Sequence, residues 1–263
     1  MFNNTQIMAI MNLTPDSFYA NSRMESSQKV VDKAGAFIEE GASIIDIGGQ
    51  STRPGAVMIS EAEEIERVSG AIESISKVFP TVKVSIDTFQ SKVAKAAIEA
   101  GATIVNDISC GSFDPDILEV VAQYKVGYVG MHITGTKDTM HVIPERTDII
   151  EELIHFFTQK KQLLADKGIQ DWVIDPGFGF GKTIQDNFTI IKDLRKLAII
   201  QLPILIGVSR KSSIYKTLGI SAEEALNGTT VVNTIALKNG ASILRVHDVK
   251  EARQAITLME YLQ

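Results

Sequence analysis

Apolar residues along this chain follow two alternating rhythms. Short runs rich in Ile and Val give way to stretches in which apolar positions recur every three or four residues, with charges on the other face. The runs predict strands at Ile7–Asn12, Ile44–Ile47, Val82–Ile86, Ile104–Asn106, Gly127–His132, Trp172–Ile174, Ile204–Val208 and Ile243–Val246. The stretches between them predict helices over Gln28–Glu40, Ala62–Phe79, Ser91–Ala100, Asp116–Gln123, Asp148–Lys167, Gln185–Leu197, Ala222–Asn239 and Glu251–Leu262. Eight βα units in succession point to an α/β fold of the (β/α)8 barrel type, one domain over residues 1–263. A doubly wound open sheet usually has fewer units, and no dinucleotide-binding glycine fingerprint follows the first run.

A short internal echo supports the barrel. Gly41-Ala42-Ser43-Ile44, Gly101-Ala102-Thr103-Ile104 and Gly240-Ala241-Ser242-Ile243 each stand where a helix ends and a strand begins. They fall before alternate strands of an eightfold array, and glycine there suits a left-handed cap. The longest connection, Ile133–Thr147, follows the fifth strand; a loop of that length in a compact domain is often functional.

Barrels of this kind carry their active sites at the C-terminal ends of the strands, so the polar residues that close each apolar run are the candidates. They are Asn12, Asp46, Asp87, Asn106 with Asp107, His132, Asp175, the group Ser209-Arg210-Lys211, and Arg245 with His247. Any one of them taken singly is as readily a helix cap or turn former. Asp46 is the weakest, since it could simply order the turn at Gly48-Gly49, and His132 could be a satisfied core histidine. Together they make a mixed site: carboxylates and an amide match a flat, donor-rich heterocycle, whereas Arg, Lys and His match a phosphate. Arg245 and His247, separated by Val246, should share the inward face, where a cation needs a ligand or a carboxylate such as Asp46 or Asp107.

Two local patterns mislead. Gly177-Phe178-Gly179-Phe180-Gly181-Lys182-Thr183 resembles a phosphate-binding Walker loop, but Pro176 stands where its first glycine belongs. Gly207-Val208-Ser209-Arg210-Lys211 starts like a nucleophile elbow and has Lys211 in place of the final glycine.

Composition narrows the partners. The 263 residues include 26 basic and 32 acidic side chains, a net charge of −6, so no general basic field exists to attract nucleic acid or an anionic membrane. The lone Cys110 excludes an internal disulfide and a multi-cysteine metal site, and is expected to be structural. No basic leader precedes the short apolar stretch Ile7–Met11, and no apolar run approaches the ~18 residues of a membrane span. A cytoplasmic location is expected.

Seven ordered motifs then carry a resemblance that spans nearly the whole chain. Asn12-Leu13-Thr14-Pro15-Asp16-Ser17-Phe18, Gly48-Gly49-Gln50-Ser51-Thr52-Arg53-Pro54-Gly55, Ser85-Ile86-Asp87-Thr88, Asn106-Asp107-Ile108-Ser109, Asp175-Pro176-Gly177-Phe178-Gly179-Phe180-Gly181-Lys182, Ser209-Arg210-Lys211-Ser212 and Arg245-Val246-His247-Asp248 resemble the dihydropteroate synthases. That family joins hydroxymethyl-dihydropterin diphosphate to para-aminobenzoate with release of pyrophosphate, uses Mg²⁺ on the diphosphate, and is usually homodimeric. The resemblance implies that Asp87, Asn106, Asp175 and Lys211 hold the aminopyrimidinone edge of the pterin. It assigns the diphosphate to Asn12, Arg53, Arg245 and His247, with Asn12 also near the metal, and the aminobenzoate to Phe18, Thr52, Pro54, Phe180, Lys211 and Ser212. The catalytic set would be Asp87, Lys211, Arg245 and His247, working through a dissociative substitution.

Two departures stand out. Tyr19-Ala20-Asn21-Ser22 replaces the Ser-Asp-Gly-Gly that most members carry after the first-loop Phe, and Gln50 replaces the usual Glu. The nearest rivals are a pterin-binding methyltransferase module, which needs no anion site, and a silent pterin-binding homologue, which usually loses motif residues.

Overall fold

The computed structural model describes residues 5–13, 23–52 and 55–262. Its strands are β1 (Gln6–Asn12), β2 (Ile44–Gly48), β3 (Lys83–Asp87), β4 (Ile104–Asp107), β5 (Gly127–Met131), β6 (Trp172–Asp175), β7 (Leu205–Ile206) and β8 (Ile243–Val246). All pair in parallel, in the order β6-β5-β4-β3-β2-β1-β8-β7. The ring closes where Ile174 bridges Ile204 and its N–H bonds Pro203 O at 3.0 Å. This is the expected (β/α)8 barrel.

Around it run α1 (Arg23–Glu39), α2 (Glu61–Val78), α3 (Ser91–Glu99), α4 (Asp116–Tyr124), α5 (Ile149–Asp166), α6 (Ile184–Asp193), continued by a 3-10 turn over Leu194–Ile200, then α7 (Ser212–Leu218), α8 (Leu226–Lys238) and α9 (Val249–Glu260). Helix α7 is an addition to the predicted set, too short for its periodicity to register and stopped by Gly219 at φ 68°. Helix α8 starts later than Ala222 because Ser221 and Glu224, which exchange capping-box bonds, close only a single turn. None of the described helices is long and apolar enough to cross a membrane.

The strands are apolar on both faces. Ile7, Ala9, Met11, Ile45, Ile47, Val84, Ile86 and Val105 pack outward into the core shared with the helices, while Met8, Ile44, Ile104, Val129, Val173, Leu205 and Ile243 form a separate cluster inside the barrel. Burial on both sides is why the strands read as unbroken apolar runs rather than alternating ones.

The glycine echo has a structural cause. Gly41 N–H bonds Ile38 O at 3.0 Å and Ala42 N–H bonds Phe37 O at 2.8 Å, the paired bonds of a Schellman cap, and the same pair recurs at Gly101-Ala102 and Gly240-Ala241. These glycines have φ of 108°, 118° and 101°. A fourth cap, at Gly168-Ile169 before β6, completes the even strands; its following residues diverge, which hides it from the sequence pattern. Ile44, Ile104, Val173 and Ile243 of the even strands lie together in the barrel interior, three residues after the glycine in the echoes and five after Gly168. Two residues further along the same strands stand Asp46, Asn106, Asp175 and Arg245.

Candidate active site

That second layer is polar and buried. Asp46 is fully buried, and Asn106 and Asp175 nearly so. Arg245 Nε donates to Asp46 Oδ2 at 2.7 Å and its Nη2 to Asp87 Oδ2 at 2.5 Å, while Asn106 Nδ2 donates to the same Asp46 oxygen at 3.0 Å. Arg245 therefore faces inward as strand alternation required, and its carboxylate partners are Asp46 and Asp87. Asp46 does not order the glycine turn; it lies inside the barrel beneath the mouth. Asp107 turns away to bind Ser109 N and Oγ, each at 2.7 Å, Gly111 N at 2.6 Å and Tyr128 Oη at 2.8 Å, so it organises its own loop.

Burial sets the electrostatics. It raises the Asp87 carboxyl above its ordinary range, opposed by the adjacent Arg245 guanidinium, and it raises Asp175, opposed by Lys211. The Lys211 ammonium is pushed down to about 8 by burial, with Asp175 and Asp87 pulling it back up. Lys211 Nζ donates to Phe178 O and lies 4.8 Å from the centre of the Phe180 ring. Asp175 Oδ1 accepts from Gly177 N at 2.7 Å. A side chain at Gly177, where φ is 70°, would run into His132 O, so only glycine lets the loop after β6 turn this closely beneath the mouth.

The remaining expected residues fall around this centre. Asn12 ends β1, and its Oδ1 lies over Gly48 on the Asp87 side. His247 follows β8, with its backbone N–H and Nδ1 each 3.2 Å from Ser209 Oγ. Ser212 opens α7, and Thr52 is half-buried after the β2 loop. Phe18, Arg53 and Pro54 lie outside the described residues. Arg210, at φ 51°, turns away from the mouth to pair with Asp248 through two bonds of 2.9 and 2.8 Å, and is a structural clamp.

Both misleading patterns resolve. Lys182 is buried and donates to Phe180 O at 3.0 Å, within its own loop, so it presents no amine to a phosphate. Ser209 serves His247. Cys110 is fully buried, its thiol pushed up to about 12 by desolvation, and is structural as expected. His132 is a core histidine, 3.2 Å from Glu152 and edge-on to Phe156.

Several contributors escaped the sequence reading. The loop after β5 folds over the barrel: Ile133 and Met140 pack with Phe89, Ile108, Met131, Phe113 and Phe180 into an apolar wall beside the polar layer. Arg146 latches that loop to the β6 loop, reaching Glu152 at 3.0 Å, Asp186 at 3.1 Å and Gly181 O at 3.0 Å. Buried Asn187 ties Gly179 N to Thr183 O and Ser213 Oγ. Arg146 and Asn187 lie at no strand end, and the loop after β5 is marked in the sequence by its length alone.

The geometry thus puts acceptors and cations together at one barrel mouth, and the pterin-binding enzyme family matches residues 8–247 of this chain. The chain belongs to that family. Among these pterin-binding enzymes it is 40% identical to the dihydropteroate synthase of Synechocystis over 98% of this chain and 90% of the relative, and 38% identical to that of Escherichia coli K12 over 97% and 90%. A solved structure of Xanthomonas albilineans dihydropteroate synthase with 4-aminobenzoic acid superposes with a TM-score of 0.91 at 35% identity, covering all of this chain and 94% of the other. The likeness extends from β1 to α9.

Proposed function

We propose that this barrel is a dihydropteroate synthase, joining hydroxymethyl-dihydropterin diphosphate to para-aminobenzoate and releasing pyrophosphate. The observation that carries the reading is the buried layer of Asp46, Asn106, Asp175 and Arg245 with Asp87 and Lys211 beside it. Asp87, Asn106 and Asp175 offer acceptors to the N–H groups of an aminopyrimidinone, and Lys211 offers a donor to its carbonyl. Arg245 and His247, with Arg53, take the diphosphate. Phe180 and Lys211 flank the aminobenzoate, with Thr52, Ser212, Phe18 and Pro54 around it.

In the reaction the exocyclic C–O bond breaks and its electron pair leaves with pyrophosphate. Arg245 and His247 hold the growing negative charge, while the Asp87 carboxylate faces the positive charge left on the pterin. The amine lone pair of para-aminobenzoate then forms the C–N bond and the nitrogen releases a proton. Phe180 and the apolar wall exclude water from that carbon.

Among the described residues no group of three His, Cys, Asp or Glu side chains stands ready to hold a metal, so a protein cage does not account for Mg²⁺. The amide oxygen of Asn12 at the mouth is a hard donor of the kind Mg²⁺ takes alongside substrate phosphates and water, and the residues fit such a shared site. When bound, the ion would supply charge neutralisation on the diphosphate.

The enzyme would work in the cytoplasm, as a homodimer. Its second copy would cover the groove of about 620 Å³ between α8 and α9, lined by Leu226, Thr230, Ala255 and Leu258, near the exposed Val231 and Ile235. The activity is tested by mixing purified protein with the pterin diphosphate, para-aminobenzoate and Mg²⁺. Equimolar dihydropteroate and pyrophosphate are expected; pterin binding without product identifies a silent homologue instead.

A further inference from the structure

The pterin-facing and phosphate-facing groups meet at one residue that neither set includes. Asp46 is fully buried, and its Oδ2 accepts from Asn106 Nδ2 at 3.0 Å and from Arg245 Nε at 2.7 Å. A carboxylate bound to a guanidinium can only accept, so Asn106 must turn its NH₂ toward Asp46. That leaves Asn106 Oδ1 as the atom presented to a ligand, and among the described residues none hydrogen-bonds to it. Without Asp46 the amide could rotate and offer donors instead, which would oppose the N–H groups of the ring. The same contact aligns Arg245: with Nε fixed on Asp46, its far end reaches Asp87.

We infer that Asp46 is a positioning and specificity-determining residue, which locks the Asn106 amide with its oxygen toward the pterin and so makes the pocket select a donor-rich ring edge. The placement explains why the Asn106 amide presents an acceptor, in line with the carboxylates of Asp87 and Asp175, while Lys211 donates. It rests on the assignment of Asn106 to the pterin.

The test uses the exchange of two side chains, with affinities for a phosphate-free pterin and for pyrophosphate measured by calorimetry and folding followed by thermal melts. Asn106→Asp alone sets two carboxylates against each other and should weaken pterin binding at least tenfold. Adding Asp46→Asn lets residue 46 donate to the new carboxylate while residue 106 still shows an oxygen to the ligand, though the shared acceptor for Arg245 Nε is lost, and the pair should bind pterin more than threefold better than Asn106→Asp alone. Asp46→Ala should weaken pterin binding at least tenfold, and by a larger factor than pyrophosphate binding, which it reaches only through Arg245. An exchange variant that melts like wild type yet binds pterin as poorly as Asn106→Asp overturns the inference, as does wild-type pterin affinity in Asp46→Ala. Should the exchange variant fail to fold, Asp46→Ala decides alone, and should that also unfold, the isosteric Asp46→Asn must keep pterin affinity within threefold or the inference falls. Asn106→Ala separates the two levels: if it leaves pterin affinity unchanged, the assignment of Asn106 fails, and not merely its orientation.

Discussion

Carboxylates at the ends of neighbouring strands have different fates here because different donors reach them. Asp107 is consumed by four bonds from its own loop and Tyr128, whereas Asp175 accepts one backbone bond and Asp87 one guanidinium bond. Strand position is visible in sequence, and with it Asp46 as a candidate partner for Arg245; that Asp87 and not Asp107 joins them is set only when the ring closes. From the sequence alone Asp46 therefore reads as the weakest of the layer's candidates, as readily a turn former as a site residue. Two predictions belong to this scale. Burial lifts Asp87 and lowers Lys211 to about 8, and pterin recognition needs the first ionised and the second protonated. Affinity for a phosphate-free pterin should therefore rise as pH climbs through the elevated Asp87 range and fall as it climbs through about 8. Asp87→Asn should take its own part out of the acidic limb, leaving the part owed to the buried Asp175, and keep an alkaline limb; a calorimetric profile unchanged in shape would contradict the assignment. Gln50 offers the second. Its Nε2 donates to Ser51 O at 2.7 Å and Val57 O at 3.2 Å, and its Oε1 accepts from Ile59 N at 2.8 Å. The amide that replaces the usual Glu thus holds both sides of the loop carrying Thr52, using donors that a carboxylate lacks. Gln50→Glu should cost about 1–3 kcal/mol by removing both donated bonds and setting a carboxylate against those carbonyls, seen as a shift in the urea midpoint.

The elements themselves were legible wherever a long amphipathic period or a Schellman glycine marked them. They were obscure where a tertiary contact set the boundary, as at two-residue β7, completed by the Ile174–Ile204 bridge, and at single-turn starts such as Ser221–Glu224. The loop after β6 shows what glycine is needed for. Gly168 and Gly177 have similar φ, 77° and 70°, yet a side chain at Gly168 meets nothing within 4 Å while one at Gly177 strikes a backbone carbonyl. Gly168→Ala should lose only the roughly 1–2 kcal/mol of a left-handed alanine and leave pterin affinity intact. Gly177→Ala should lose more and weaken the pterin, since Asp175 is anchored to the Gly177 N–H. Equal losses from denaturation and binding on the two variants would contradict that role.

For the whole molecule, the eightfold repeat explains how chemistry came to be spaced along the chain. Each of the three echoes pairs a Schellman cap with a polar residue five positions after its glycine: Asp46, Asn106 and Arg245. The long β5 loop that walls the pocket has no such period, and its latch through Arg146 had no signal in sequence. The second-copy surface is checked by light scattering: wild type should be dimeric and Leu258→Asp, on exposed α9, monomeric with its melt unchanged. A wild-type monomer would contradict the pairing. The division of the mouth into an acceptor half for the pterin and a cation half for the diphosphate is tested most directly by measuring two ligands on two variants. Calorimetry should show Asp175→Asn weakening a phosphate-free pterin by about 1–3 kcal/mol while sparing pyrophosphate, and His247→Ala weakening pyrophosphate while sparing the pterin. If each variant weakens both ligands alike, the mouth is not divided in this way.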